Sequence, residues 1–378
     1  MNLFWKKLFG GITSTEKYEQ QQLAFQQSIK RYFEFEKSPE VEEYRKLHQT
    51  INSKEFQDKK QLLMKRKYKD TDEYKTLAKF EKLQKKKNSH ATKEYEELKE
   101  KVATPEFRKA NEFWKNKNRW AESPEHATEK RYLELTNNPE FADFLKQDAK
   151  EMEKYRGREV TFSDRFNEKG TNNSNWQSGF CYEKPLVGNF SHTNELQANN
   201  EGKNVAFSNG SLKLETKFGK VTARTWHPTK GFIEKQFNYT ADVMQTGKVF
   251  SQKYGEFQVK LRGSGQPHHA FWLGSEKQLP YIQIAQIRGK KIIFGTIDAK
   301  GNKTSTTVTG LKPSAYYVYT LQWNSKELIW KINNMEVFRT SNNVPSNEMY
   351  LGVNSYLPEN EKGGQGVVEV DWVKVFNQ

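Results

Sequence analysis

The stretch Leu279-Pro280-Tyr281-Ile282-Gln283-Ile284-Ala285-Gln286-Ile287 alternates apolar and polar side chains in the manner of a buried strand. On such a strand Ile282 and Ile284 face one way, and Tyr281 and Gln283 the other. Gln286 falls one residue out of phase, and a β-bulge before it would return it to the face of Tyr281 and Gln283. The strand then presents a phenol and two amides side by side. No Asp or Glu occurs between Lys277 and Ile297, so a slip of register brings no carboxylate to that face.

Outward from this strand the same alternation recurs. Phe257-Val259-Leu261 and Val368-Val370-Trp372 are apolar at every second position, and Asn209-Gly210, Lys300-Gly301-Asn302 and Gly363-Gly364 punctuate the runs as turns. Many short strands with such punctuation predict an all-β sandwich or barrel over residues 160–378.

The segments also resemble a known family. Tyr254-Gly255-Glu256-Phe257-Gln258-Val259-Lys260, His269-Ala270-Phe271-Trp272-Leu273 and the strand at Tyr281 are similar, in order, to motifs of glycoside hydrolase family 16, the laminarinase and lichenase group. Phe162-Ser163-Asp164-Arg165-Phe166, Asn209 to Leu214, Tyr319 to Trp323, Ile329 to Asn333 and Val370 to Val375 resemble its opening and closing strands. The resemblance implies a β-jelly-roll, a concanavalin A-like lectin/glucanase sandwich. In laminarinases the catalytic strand reads Glu-Ile-Asp-Ile-x-Glu. Tyr281, Gln283 and Gln286 stand where the resemblance places the nucleophile, the helper Asp and the acid/base. Retaining hydrolysis needs two carboxylates roughly 5 Å apart. Glutamine has the shape of glutamate without its titratable proton, and a phenol lacking an activating base is a poor nucleophile. The expectation is a non-catalytic domain, a pseudoenzyme.

Composition bounds the rest. The chain has 378 residues, 34% hydrophobic, which predicts two domains. Its net charge of +15 favours anionic partners, yet residues 1–150 hold 33 basic and 26 acidic side chains, so neither half is a dedicated polycation. Cys181 is the single cysteine, which excludes an intramolecular disulfide and a thiolate zinc cage. Neighbouring His268 and His269 would point to opposite faces of a strand and share no metal. No cofactor is expected.

From about Thr15 to Lys154 the chain is rich in Glu, Lys, Gln, Leu and aromatics, nearly free of Gly, and spaced as helices. Pro39, Pro105, Pro124 and Pro139 each follow a capping residue and precede Glu, which predicts helices beginning near Ser38, Thr104, Ser123 and Asn138, with others near Asp70 and His90. Glu43-Tyr44-x-x-Leu47 leads to Ser53-x-Glu55-Phe56 with the spacing by which Glu94-Tyr95-x-x-Leu98 leads to Thr104-x-Glu106-Phe107. Residues 15–156 therefore read as an all-α helical repeat or bundle, a surface for a protein partner. Lysines at 59–69 and 85–87 are interleaved with acids, which disfavours nucleic acid.

Residues 1–14 form a separate amphipathic segment. Phe4, Trp5, Leu8 and Phe9 fall on one helical stripe, suited to docking on the protein itself, on a partner, or on a membrane surface. The segment is too short to span a bilayer and lacks the pattern of a secretory signal, so the expected location is cytoplasmic or membrane-peripheral. Three functional readings stand. One is a glycan-binding module for a β-glucan-type polysaccharide, with Trp272, Trp226 and Tyr281 stacking on sugar and Gln283, Gln286 and His268 bonding to it; stacking on Trp272 and contacts from Gln283 and Gln286 would be independent of pH from about 4 to 8. The others are a structural or assembly scaffold without sugar binding, and a residual or altered β-glucan hydrolase.

Overall fold

The computed structural model describes residues 3, 11–86, 92–167, 174–181, 190–192, 194–275, 277 and 279–378. The chain divides into two units, Met1–Ala24 with Gly157–Gln378, and Phe25–Arg156. In chain order the strands are β1 (Val160–Asp164), β2 (Gln177–Ser178), β3 (Phe190–Ser191), β4 (Gln197–Asn199), β5 (Val205–Ser208), β6 (Ser211–His227), β7 (Gly231–Ala241), β8 (Val243–Gln245) and β9 (Gly255–Gly265). They continue as β10 (His268–Gly274), β11 (Tyr281–Arg288), β12 (Lys291–Ile297), β13 (Lys303–Val308), β14 (Tyr317–Trp323), β15 (Leu328–Ile332), β16 (Met335–Thr340), β17 (Tyr350–Tyr356) and β18 (Gly366–Phe376).

Among the described residues one sheet runs β16-β15-β14-β9-β18-β6-β7-β4 and the other β13-β12-β11-β10-β17-β8-β2. The two sheets, antiparallel except where β4 joins β7 and β3 joins β6, face each other as a jelly-roll sandwich. The alternation fixes which side chains are buried between them. Phe257, Val259 and Leu261 of β9, Val368 and Val370 of β18, and Ile282, Ile284 and Ile287 of β11 all join one core. Asn209 and Gly210 make the tight β5–β6 turn with φ of 54° and 69°, a left-handed conformation that suits these two residue types.

The helices are α1 (Thr15–Glu36), α2 (Pro39–Ile51), α3 (Lys54–Lys65), α4 (Asp72–Gln84), α5 (Lys93–Ala103), α6 (Pro105–Lys115), α7 (Pro124–Asn137), α8 (Pro139–Lys146) and α9 (Ala149–Glu153). Those with proline at the first turn start where expected, capped by Ser38, Thr104, Ser123 and Asn138. Three more starts share the cap-x-Glu pattern without proline, at Ser53, Thr71 and Thr92. The helix expected near Asp70 begins at Asp72, and His90 lies outside the described residues. In each case the cap oxygen accepts from the N–H three residues on, and the residue there is apolar or aromatic in six of the seven. Aromatic faces of these helices meet in space. Tyr44 of α2 stacks on Tyr132 of α7 at 5.5 Å, and Phe141 of α8 lies 5.2 Å from Tyr44. Glu43 and Arg131 close the same pair of helices with a salt bridge of 2.8 Å.

Thr71 is fully buried, accepting from Tyr74 N–H and donating to the Tyr68 carbonyl at 2.7 Å. Thr71→Ala strands the Tyr74 N–H and leaves the Tyr68 carbonyl only the Thr71 N–H at 3.1 Å, and a loss of about 1–2 kcal/mol is expected in urea denaturation of the full chain. An unchanged midpoint would remove the cap from the account.

The stripe Phe4, Trp5, Leu8 and Phe9 lies outside the described residues. Its neighbours Leu3 and Ile12 are 0% and 6% exposed and belong to the sandwich core. The start of α1 follows them onto the outer face of the larger sheet, where Tyr18 packs on Val318 and Trp372.

Candidate functional site

The smaller sheet turns one face to the core and the other outward. On the outward face β10 contributes Ala270 and Trp272, β11 contributes Tyr281, Gln283 and Gln286, and β17 contributes Tyr350, Asn354 and Tyr356. Together with Phe180, His192 and Glu195 they line a cavity of about 240 Å³. The bulge on β11 is present: its register against β12 shifts between Gln283 and Gln286. Both amides therefore reach the cleft.

They are tied to each other. Gln283 Nε2 donates to Gln286 Oε1 at 2.9 Å and to the Ile293 carbonyl at 3.0 Å. Gln286 Nε2 in turn donates to the Tyr356 hydroxyl. Burial, reinforced by the charge of Glu195, pushes Tyr356 up to about 12 despite that bond, so its proton stays on and is available to an acceptor in the cavity. Tyr281 is likewise pushed well up by burial, which keeps it a neutral phenol rather than a nucleophile.

Trp272 is only 4% exposed. Its indole lies across β17, where a Cβ added to Gly352 would come within 2.3 Å of the ring. Its Nε1 donates to Asn354 Oδ1 at 3.0 Å, and Phe180 stacks on it at 6.2 Å. Trp272 thus forms a floor of the cleft and offers little open ring. His268 sits beside the cleft rather than in its lining, bonded to Glu361 at 2.9 Å and edge-on to Tyr356. Burial lowers its pKa against the pull of Glu361. His269 points to the opposite side and bonds Ser355 and the Ser264 carbonyl. Trp226 does not line the cavity; it stands near the end of the β6–β7 hairpin, 53% exposed.

Glu195, like Phe180, His192, Tyr350, Asn354 and Tyr356, is in the lining but was not among the site residues expected from sequence. Glu195 enters through an isolated bridge to Pro358, and its carboxylate accepts from Gln197 Nε2 at 2.6 Å. Burial raises it to about 7, against the bonds from Gln197 and the His192 backbone. The pKa of His192, half-buried beside it, is lowered by desolvation. The cleft therefore holds a carboxyl that titrates near neutrality, and its described lining contains neither Lys nor Arg. An ionising carboxyl there would add a pH dependence that the amides and the indole do not have.

No protein-family model and no curated protein sequence matches this chain. Solved structures do. The chain is similar to the laminarinase catalytic domain of Thermotoga maritima MSB8 at 15% identity and a TM-score of 0.47, over 58% of this chain and 98% of that one. It is also similar to SCLam, a non-specific endo-β-1,3(4)-glucanase from family GH16, at 19% identity and a TM-score of 0.48, over 58% of this chain and 91% of that one. The κ-carrageenase of Pseudoalteromonas carrageenovora gives 16% identity and a TM-score of 0.46, over 58% and 95% of the two chains.

The remaining lining residues carried a readable signal. Tyr350-x-Gly352-x-Asn354-x-Tyr356 places every second residue on one face, the pattern of a strand with a polar and aromatic outer side. Glu195 had none, because a single bridge to a segment far along the chain brings it in.

Proposed function

We propose that the sandwich is a non-hydrolytic module that binds an uncharged, β-glucan-type glycan in the β10–β11–β17 cleft. The observation that carries this is the linked set Gln283, Gln286 and Tyr356 at the positions where the resemblance places carboxylates and beside them. Amides and phenols both donate to and accept from sugar hydroxyls, and the half-buried Tyr281 ring, backed by Trp272, is the aromatic face open to the apolar side of a sugar. A described lining without Lys or Arg favours an uncharged chain.

Glu195 gives the hydrolase reading its one specific support, since a carboxyl near pH 7 is poised to donate a proton. Cleavage also needs a group to attack the sugar or to activate water, and Glu195 is the single carboxylate in the described lining. Binding is therefore the better reading.

Calorimetry with laminarin-type, mixed-linkage and agar-type oligosaccharides tests it, using Tyr356→Phe to remove the hydroxyl and keep the ring. About a tenfold weaker binding is expected, the worth of one buried hydrogen bond. Absence of binding to all of them in a folded protein would leave the scaffold reading.

Affinity should also depend on pH. A glycan over Glu195 desolvates it further and favours its protonated form, so binding is expected strongest below pH 6 and severalfold weaker by pH 8, as the carboxyl ionises through about 7. The charged or titratable neighbours are His192, lowered by burial, and Tyr356, with Arg288 and Glu361 acting on Tyr356 from beyond it. Because the folded-state pKa is raised, stability from this group is full below about 4.5 and lost as pH rises to about 7. Glu195→Gln should flatten both profiles, and an unaltered pH dependence in that variant would exclude Glu195 as the source.

A further inference from the structure

The β6–β7 hairpin carries a second, chemically different surface. Its strands pair Trp226 with Phe232, Arg224 with Glu234 and Thr222 with Gln236. These six side chains are exposed, whereas Ala223 and Thr225 between them turn inward and are buried at 3% each. Trp226 and Phe232 are each 53% exposed, with rings 5.2 Å apart and nearly perpendicular. The Arg224 guanidinium lies 5.7 Å over the Phe232 ring. Large aromatics held in water on a strand face mark a contact surface more often than a packing error.

Charge narrows the partner. Residues 217–236 contain five basic side chains and one acidic one. Lys217 pairs with Glu215 and Lys235 with Glu359, while Lys220, Arg224 and Lys230 form no ion pair among the described residues. The cleft, in contrast, has no Lys or Arg in its described lining. Parallel pairing of β3 with β6 at Phe190–Arg224 brings this face beside Phe190, whose ring lies 5.7 Å from Phe180 at the cleft.

The geometry points to a second glycan-binding surface, in which Trp226 and Phe232 stack on the sugars of an acidic polysaccharide while Lys220, Arg224 and Lys230 hold its sulfate or carboxylate groups. Cations interleaved with rings suit an anion-bearing sugar, and Thr222, Glu234 and Gln236 on the same face supply bonds to hydroxyls. A membrane-inserting tip needs a continuous apolar surface. Here the turn that would enter first is His227-Pro228-Thr229-Lys230-Gly231, which is polar. The surface stands apart from the cleft reading and does not depend on it.

Affinity electrophoresis of the full chain tests it in gels containing a polyuronate, a sulfated galactan or neutral laminarin. Retardation is expected in the two acidic gels, weakened by added salt. The pair Trp226→Ala with Phe232→Ala, and separately Lys220→Gln with Arg224→Gln and Lys230→Gln, should each weaken it at least tenfold with an unchanged melting temperature. Tyr356→Phe, in the cleft, should leave it intact. Equal retardation of wild type and both hairpin variants overturns the proposal, as does absence of retardation in the folded wild type. Binding of acidic vesicles or of an oligonucleotide through these side chains, with no polysaccharide bound, overturns it equally.

Discussion

Deletion of residues 1–24 is expected to unfold the sandwich, although its strands all lie in residues 160–378. Leu3 N–H donates to the Thr309 carbonyl at 2.7 Å, and the Leu3 and Ile12 side chains are buried in the core. The Thr15 hydroxyl donates to the Tyr316 carbonyl at 2.7 Å. Buried Asn333 donates to both the Thr13 carbonyl and the Thr15 hydroxyl at 3.0 Å, while its own carbonyl holds Val318 N–H at 2.9 Å. Tyr18 is 3% exposed. Glu19 accepts from the Trp372 indole at 2.7 Å and pairs with Lys260 at 2.8 Å, where Asp371 also lies at 2.9 Å. Burial works against the Lys260 charge, but these two carboxylates outweigh it and raise its pKa.

The magnitudes decide the outcome. Burial of Leu3, Ile12 and Tyr18 contributes roughly 1.5–3 kcal/mol each, so the three together rival the roughly 5–15 kcal/mol by which a whole domain is stable. Deletion also leaves Asn333 Nδ2 and Trp372 Nε1 without their acceptors. Thermal unfolding followed by near-ultraviolet circular dichroism should show no cooperative transition for the truncated chain. Tyr18→Ala, a milder change, should lower stability by about 3–5 kcal/mol. A truncated protein that melts as the full chain does would show that the segment merely rests on the sheet.

This part of the fold was hard to see in the sequence for a physical reason. Tyr18 and Glu19 have the spacing of any amphipathic helix, and nothing local says that their partner is a β-sheet. Strand alternation, in contrast, is a local signal set by the pleat, so Phe257-Val259-Leu261 and Val368-Val370 could be read directly, whereas a register shift after Val370 turns Trp372 to the outer face against Tyr18. Helix starts at Ser38, Thr104, Ser123 and Asn138 were legible because proline marks the first turn. The starts at Thr71 and Thr92, expected near Asp70 and His90, rest on the same cap-x-Glu chemistry but lacked that marker, so the sequence located them less closely.

The cleft divides in the same way. Tyr281, Gln283 and Gln286 share a strand, and the bulge that unites them follows from their spacing. Trp226 and Trp272 look alike as isolated tryptophans, yet one lies across Gly352 in the cleft and the other stands exposed on a hairpin. Only tertiary placement separates them.

The unmodified protein is expected to release no reducing ends from β-1,3- or β-1,4-linked glucans. Loss of one catalytic group commonly costs on the order of 10⁴-fold or more in rate, and here the resemblance places a phenol and two amides at all three positions. The combined variant Tyr281→Glu, Gln283→Asp and Gln286→Glu tests whether the cleft keeps an ancestral geometry. Gln283 and Gln286 already meet at 2.9 Å across the bulge, so carboxylates there would lie on one face with the group at 281. Activity is expected only in the triple variant, because attack and proton donation must both be present and no single replacement supplies both. Circular dichroism must accompany the assay, since Tyr281 is packed against Trp272 at 5.7 Å and Tyr281→Glu exchanges a ring for a charge. Robust hydrolysis by the unmodified protein would overturn the binding reading. If Glu195→Gln then abolished that activity, the carboxyl that titrates near 7 would be its proton donor, and the catalytic work would have moved from the strand to the segment that bridges Pro358.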